Sequence, residues 1–83
     1  MVETLKNGFG DTVEVDFTAM PIGAELYSTH PDDALIPWRR FGVKDQIEFY
    51  ENGQWFSTNP LPENEEFFHN HHAHIPSHLQ KSA

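Results

Sequence analysis

Cysteine is absent from this 83-residue chain. Neither disulfides nor thiolate-bound zinc can therefore supplement its core, and a chain of this length has a core near the lower limit of independent stability. Long apolar runs are missing too. No stretch approaches the roughly 18 residues that span a bilayer, and residues 1–8 lack the apolar segment of a signal peptide. We expect one domain in the cytoplasm, with no membrane partner.

Basic residues are scarce, with five Lys and Arg against thirteen Asp and Glu and a formal net charge of −8. Affinity for nucleic acid depends on neutralising phosphates, so this balance predicts no direct nucleic-acid binding. It favours a partner protein with a basic surface, including a protein that itself binds DNA or RNA. Alternatively, the acids serve solubility alone.

Catalytic motifs are missing as well. The chain has no glycine-rich phosphate loop and no G-x-S-x-G element. The tripeptide at residues 69–71 is not the HNH nuclease motif, whose three residues lie far apart on a ββα-metal unit. His30 beside Asp32 and Asp33 could act as an acid–base pair, but the start of a helical turn is the better explanation of these residues. We predict that the protein is not an enzyme.

Strand patterns dominate what is present. Apolar and acidic residues alternate over residues 12–17, which predicts a strand with one buried face. A short strand is expected at residues 24–28, a single helical turn at 29–35, and a further strand at 38–43. Glycines and a proline supply the turns around the first strand.

The clearest local element is a hairpin around Asn52-Gly53, which joins two aromatic runs. Asn-Gly readily takes the two positive φ angles of a type I′ turn. The predicted cross-strand pairs are Glu51–Gln54, Tyr50–Trp55, Phe49–Phe56 and Ile47–Thr58. Because successive pairs alternate between faces, Ile47, Phe49 and Phe56 share one face, and Tyr50 and Trp55 share the other.

The C-terminal part is predicted to contain a helix that starts near Pro62 with acids in its first turn. If it continues to Pro76, Phe68, His72 and Ile75 form a thin apolar stripe. The fold class is thus α+β: a small, mainly antiparallel sheet of four to five short strands with a short C-terminal helix. Residues 1–60 form the β-rich domain. Residues 61–83 form a short helix and a His-rich tail, either in the same domain or appended to it.

Five of the six histidines lie between residues 69 and 78. On a helix, His71 and His74 could share a borderline metal ion such as Zn²⁺, Ni²⁺ or Cu²⁺, with Glu65 or Glu66 or a partner chain adding ligands. The candidate metal ligands are His71, His74, His69 and His78. The alternative is a solvated or partner-contacting segment that holds no cofactor.

A small domain can usually bury only one face of its sheet, which makes the Tyr50–Trp55 pair a candidate binding surface. Trp, Tyr and Arg are enriched in binding hot spots. Trp38 and nearby acids would extend this surface. The candidate partner-binding residues are Tyr50, Trp55, Trp38, Glu48, Glu51, Glu63, Glu65 and Glu66. The alternative is that the two rings pack within the domain.

Residues 21–27 read P-x-G-A-E-L-Y, a tryptophan follows at position 38, and residues 49–55 read F-Y-x-x-G-x-W. In these motifs, which cover about half of the chain, the sequence resembles small accessory proteins of tailed phages and prophages. The resemblance implies an early-expressed cytoplasmic protein that binds, and inhibits, a host factor. It carries nothing over to the first strand or the His-rich end.

The function predicted from these observations is a non-catalytic acidic protein that binds and inhibits a basic or nucleic-acid-processing host protein. Two alternatives stay open. One is a metal-binding protein, or a metal-assembled oligomer, that uses the histidine cluster. The other is a homodimer or larger homo-oligomer that uses the aromatic hairpin face.

Overall fold

The structure is a computed structural model that describes residues 1–43, 46–60 and 65–82. Seven antiparallel strands are described: β1 (Val2–Lys6), β2 (Thr12–Asp16), β3 (Leu26–Ser28), β4 (Trp38–Phe41), β5 (Gln46–Glu51), β6 (Gln54–Pro60) and β7 (His72–His74). The helical elements are α1 (Glu65–Asn70) and three 3-10 turns at Phe17–Ala19, Pro31–Asp33 and Ser77–Leu79. None of the described helices is long and apolar enough to cross a membrane.

The strands form two sheets. Strands β1 and β2 make a two-stranded sheet, and the other five follow the order β6-β5-β4-β3-β7. The prediction of a mainly antiparallel fold is confirmed, but the described part holds more strands than the four to five expected. Within the described residues, helix is limited to one six-residue segment and the three short turns.

The two-stranded sheet is a hairpin whose first strand the sequence pattern did not reveal. The predicted strand at residues 12–17 is confirmed up to Asp16, and it pairs with β1. Only Leu5 in β1 is fully buried, so its apolar alternation is too weak to identify a strand. Asn7 closes the turn, because its side-chain oxygen accepts hydrogen bonds from the backbone N–H groups of Phe9 (3.0 Å) and Asp11 (3.1 Å).

The hairpin between β5 and β6 forms with the predicted turn. Asn52 and Gly53 have φ angles of 51° and 81°, the two positive values of a type I′ turn. The pairs Glu51–Gln54, Tyr50–Trp55 and Phe49–Phe56 are confirmed. Between Gln46 and Glu48 a register shift interrupts the ladder, and the predicted pairing of Ile47 with Thr58 stays a prediction.

The predicted helix continuing to Pro76 is also wrong. Helix α1 ends at Asn70, and the next residues form β7, which pairs with β3. In this strand Ala73 is fully buried and Ile75 follows it into the core. A long-range ladder that buries these two side chains outweighs the local preference for helix. Pro62 lies outside the described residues.

Both faces of the five-stranded sheet are covered in part. On one face lies the main core cluster, which also receives side chains from the β1–β2 hairpin and the C-terminal segment: Leu5, Val15, Phe17, Met20, Ala24, Trp38, Ala73 and Ile75. On the other face Leu26 and Ile47 form a smaller cluster with Phe68 of α1. The short strand predicted at 24–28 is confirmed over Leu26–Ser28, and it places Leu26 in the smaller cluster and Tyr27 against the main one.

Gly53→Val should destabilise the fold by about 1–3 kcal/mol, because a β-branched residue resists positive φ. Apart from Gly53 and its two chain neighbours, no residue has an atom within 4 Å of a Cβ added there, so the loss would come from the backbone conformation alone. Gly53→Asn is the matched control and should lose less, since Asn tolerates this region. Urea melts followed by circular dichroism would measure both, and a Val variant that overlays the wild type would contradict the assignment.

Candidate functional site

The Tyr50–Trp55 face packs against the main core. The two rings make an edge contact with centroids 5.1 Å apart, and both lie half-buried beside the core cluster. The Trp55 Nε1 donates a hydrogen bond to the carbonyl oxygen of Ile22 at 3.3 Å. The Arg40 guanidinium lies 4.5 Å from the Trp55 ring centroid, in a cation–π contact. Intramolecular packing therefore occupies much of this predicted binding surface.

Trp38 lies deeper in the same core and is only 8% exposed. Its ring makes an edge contact with Tyr27 at 5.1 Å and a tilted contact with Phe17 at 5.9 Å. Its main role in the fold is to join the sheet to the 3-10 turn at Phe17–Ala19. The binding role expected for Trp38, Tyr50 and Trp55 stays a prediction.

The opposite face of the hairpin carries aromatic rings that reach solvent. Phe49 and Phe56 stack with centroids 5.5 Å apart, and Phe56 is 42% exposed. Phe41 on β4 pairs with Ile47 on β5 and is 41% exposed. We call Phe41, Phe49 and Phe56 the phenylalanine face. The hairpin register predicts that Phe49 and Phe56 share a face, but their exposure depends on how far α1 covers the sheet, which the sequence does not show.

A single row of side chains crosses the sheet from one edge to the other. The strand register aligns, in order from β7 to β6, His74, Leu26, Arg39, Phe49 and Phe56. Directly paired residues point to the same face, so these five side chains share one surface of the sheet. Phe49 and Phe56 of the phenylalanine face form one end of this row, and His74 forms the other.

The middle of the row is a buried arginine. Arg39 is 7% exposed, and its Nη2 lies 3.2 Å from Oδ1 of Asp33. The other oxygen of Asp33 accepts a hydrogen bond from Ser28 Oγ at 2.5 Å, and Arg39 also donates to the carbonyls of Ile36 and Trp38. Burial lowers the pKa of Arg39, while Asp33 opposes that shift. The ion pair ties the 3-10 turn at Pro31–Asp33 to the sheet, and no sequence motif indicated it.

The predicted acidic residues fall in different environments. Glu48 is half-buried, forms an ion pair with Arg40 and accepts a hydrogen bond from Ser57 Oγ at 3.4 Å. Glu51 is exposed at the end of the hairpin, and Glu66 is exposed on α1. Glu63 and the side chain of Glu65 lie outside the described residues. Glu51, two residues after Phe49, lies on the phenylalanine face.

The histidine cluster separates into distinct groups. His71 lies beside the rings of Phe9 and His30, at centroid distances of 5.0 Å and 5.2 Å. The ring of His72 stacks on Phe68 at 4.1 Å, and its Nδ1 donates to the Phe68 carbonyl at 2.8 Å. His78 is exposed in the last 3-10 turn.

His69 and His74 form a pair, with Nδ1 of the first 3.1 Å from Nε2 of the second. The predicted sharing of a metal by His71 and His74 depended on helical spacing, which is wrong because α1 ends at Asn70. Within residues 1–43, 46–60 and 65–82, no three His, Asp or Glu side chains converge on a metal position. The sequence prediction named both His69 and His74 but did not pair them.

Trp55→Ala should destabilise the fold by about 2–3 kcal/mol, less than the 3–5 kcal/mol typical of a fully buried ring, because Trp55 is half-buried. Phe56→Ala on the same strand is the matched control and should lose about 1 kcal/mol, since Phe56 is 42% exposed. Chemical melts would compare them. A Trp55→Ala protein with wild-type stability would contradict the packing role.

Acid should destabilise the protein through His72. Burial lowers the pKa of His72. Arg39 and His71 add to this shift, and the hydrogen bond to the Phe68 carbonyl and the charge of Asp33 oppose it. Burial and His69 lower the pKa of His74. At mildly acid pH the two imidazoles therefore bind more protons in the unfolded chain than in the folded chain. The free energy of unfolding is therefore highest above the ordinary histidine pKa of about 6.5. It decreases as the pH falls through the lowered pKa of the folded state.

Urea melts between pH 7.5 and pH 5 would measure this loss. His72→Gln should flatten the dependence of unfolding free energy on pH. His78→Gln, which removes an exposed histidine of the same segment, should keep the wild-type slope. A wild-type slope of zero, or an equal effect of both variants, would contradict the assignment to His72.

Comparisons with protein-family models, with curated proteins and with solved structures find no match to this chain. The resemblance to phage accessory proteins therefore stays a prediction carried by the residues that suggested it. The function has to be inferred from the surfaces that this chain presents.

Proposed function

We propose that this protein is a non-catalytic binding protein that attaches to a basic surface of another protein through its phenylalanine face. The observation that carries the proposal is the stacked Phe49–Phe56 pair, whose outer ring is exposed on a sheet face with an acidic neighbour. Aromatic residues are enriched at protein interfaces, where a large rigid ring contributes much contact area. The proposed anchor is Phe56, with Phe41 and Phe49 beside it.

The anchor is held in place before any partner arrives. Phe56 stacks on Phe49, and the Arg39 guanidinium lies 5.8 Å from the Phe49 ring centroid. Arg39 in turn is fixed by its ion pair with Asp33. A ring that is already ordered loses less side-chain entropy on binding, which leaves more of the contact energy for affinity.

Charge supplies the preference for a basic partner. The chain carries a net charge of −8, and Glu51 and Glu66 are exposed. Opposite potentials across an interface accelerate association and disfavour partners of the same charge. A partner with a basic surface that normally contacts phosphates would be occupied by this acidic surface. Inhibition of a nucleic-acid-processing protein is the proposed consequence.

The resemblance to phage accessory proteins suggests where the proposed binding takes place and with what kind of partner. It makes the partner a host protein and the place of action the host cytoplasm. The anchor proposed here differs from the Tyr50–Trp55 pair, because those rings are engaged with the main core and with Arg40. Among the predicted acids whose side chains the structure describes, Glu51 and Glu66 are exposed.

Capture of a partner from a lysate of the source organism, with tagged protein and mass spectrometry, would identify it. Phe56→Ser should then raise the dissociation rate and weaken binding by on the order of 2 kcal/mol, with the fold intact. Leu35→Ser is the matched control, because Leu35 is 95% exposed and lies outside the phenylalanine face. Raising the salt concentration should slow association, since ions screen charges beyond about 10 Å at 0.1 M.

Two results would contradict the proposal. One is Phe56→Ser protein that binds the captured partner at full strength. The other is sedimentation showing that the phenylalanine face joins two copies of this chain, with Phe56→Ser producing monomers; that result would support the homo-oligomer instead.

A further inference from the structure

His69 and His74 come together because the chain reverses between them. Helix α1 ends at Asn70, a turn closes with a hydrogen bond from His71 N to the Phe68 carbonyl at 3.2 Å, and β7 runs back along β3. The Nδ1 of His69 then lies 3.1 Å from the Nε2 of His74, with the ring planes 22° apart. Both side chains are exposed.

We infer that His69 and His74 form a two-histidine site for a borderline divalent cation of the Zn²⁺, Ni²⁺ or Cu²⁺ class. Imidazole nitrogens bind such ions at about 2.0–2.1 Å, which places two donors of a tetrahedral ion about 3.3 Å apart. The observed separation of 3.1 Å is close to that value. The site uses different nitrogens of the two rings, Nδ1 of His69 and Nε2 of His74.

The backbone around the pair is fixed by hydrogen bonds. The carbonyl of His69 accepts a hydrogen bond from the N–H of Gly8 at 3.1 Å, and His74 is paired with Leu26 in the sheet. A Cβ added at Gly8 would lie 2.6 Å from that carbonyl oxygen, so a side chain there would disrupt this approach of the first hairpin to α1. Donors on a fixed backbone need little rearrangement to share an ion.

Metal binding requires one change of tautomer and a small rotation. In the hydrogen-bonded pair one of the two facing nitrogens carries the proton. Moving that proton to the distal nitrogen of the same ring leaves two lone pairs facing the ion, with no net release of protons from two neutral rings. Exposure allows the rings to turn until these lone pairs converge. Water can fill the remaining positions, as in open zinc sites.

Neutral imidazole is the form that binds metal. The ring of His69 makes an edge contact with Phe68, with centroids 5.4 Å apart.

The other histidines of the segment are placed differently. His72 stacks on Phe68 and donates its Nδ1 proton to a carbonyl, and His71 lies with Phe9 and His30. His78 is in a separate 3-10 turn. The site is therefore a defined pair and differs from general attraction of metal to a His-rich tract.

Long-range ¹H–¹⁵N spectra of the imidazoles during titration with Zn²⁺ would test the site in the full chain. The chemical shifts of His69 Nδ1 and His74 Nε2 should change together and saturate at one ion per chain. The chemical shifts of the ring nitrogens of His71, His72 and His78 should stay unchanged. His69→Gln and His74→Gln should each weaken Zn²⁺ binding at least about tenfold, because each removes one of two chelating bonds. His78→Gln, the matched control, should bind as the wild type does.

Saturation at one ion per two chains, with the same two nitrogens shifted, also supports the site and assigns the remaining ligands to a second copy. Shifts spread evenly over all the histidines, or equal weakening by His78→Gln, would overturn the inference and identify an adventitious tract. If a Gln variant failed to fold by circular dichroism, the wild-type titration would decide alone.

Discussion

The pairing of β3 with β7 is the interaction on which the rest of the structure depends. It aligns Leu26 with His74 and Ser28 with His72, and backbone hydrogen bonds from Thr29 and Ile75 extend it at both ends. Through this ladder the C-terminal segment contributes to both core clusters. Ala73 and Ile75 enter the main cluster, and the preceding helix brings Phe68 over the opposite face of the sheet. Because each described cluster is small, losing these side chains would remove a large part of it.

The same pairing relates the two proposed sites to each other. His74 and Phe56 are the ends of one cross-strand row, with Arg39 at its centre. Four strand spacings of about 4.8 Å separate them, so His74 and Phe56 lie roughly 19 Å apart on one surface. A partner anchored on Phe56 would therefore leave the histidine pair open unless it covered most of this sheet face. The buried Arg39–Asp33 ion pair holds the middle of the row in place between the two ends.

How much of this could be read from the sequence depends on the range of the interaction. The turn at Asn52-Gly53 and three cross-strand pairs of its hairpin were predictable, because two residues with positive φ determine the register locally. Strand β7 was not, since its local pattern resembles a helix and only its distant pairing with β3 makes it a strand. The exposure of Phe56 and the His69–His74 pair both depend on where α1 and β7 lie, and the sequence predicted one continuous helix for that segment. The Arg39–Asp33 ion pair joins residues with no motif at all, so only the folded geometry reveals it.

The long reach of the β3–β7 ladder has a consequence for how the chain folds. It pairs Ser28 with His72, across more than half of the chain, whereas the turn of the β5–β6 hairpin closes over only two residues. Closing a long loop has a larger entropic barrier than closing a short one, so we infer that the hairpins form first and the ladder last. During synthesis both clusters must stay incomplete until β7 has left the ribosome. Until then the hairpins would expose apolar surface, which makes the unfinished chain prone to aggregation or to capture by chaperones.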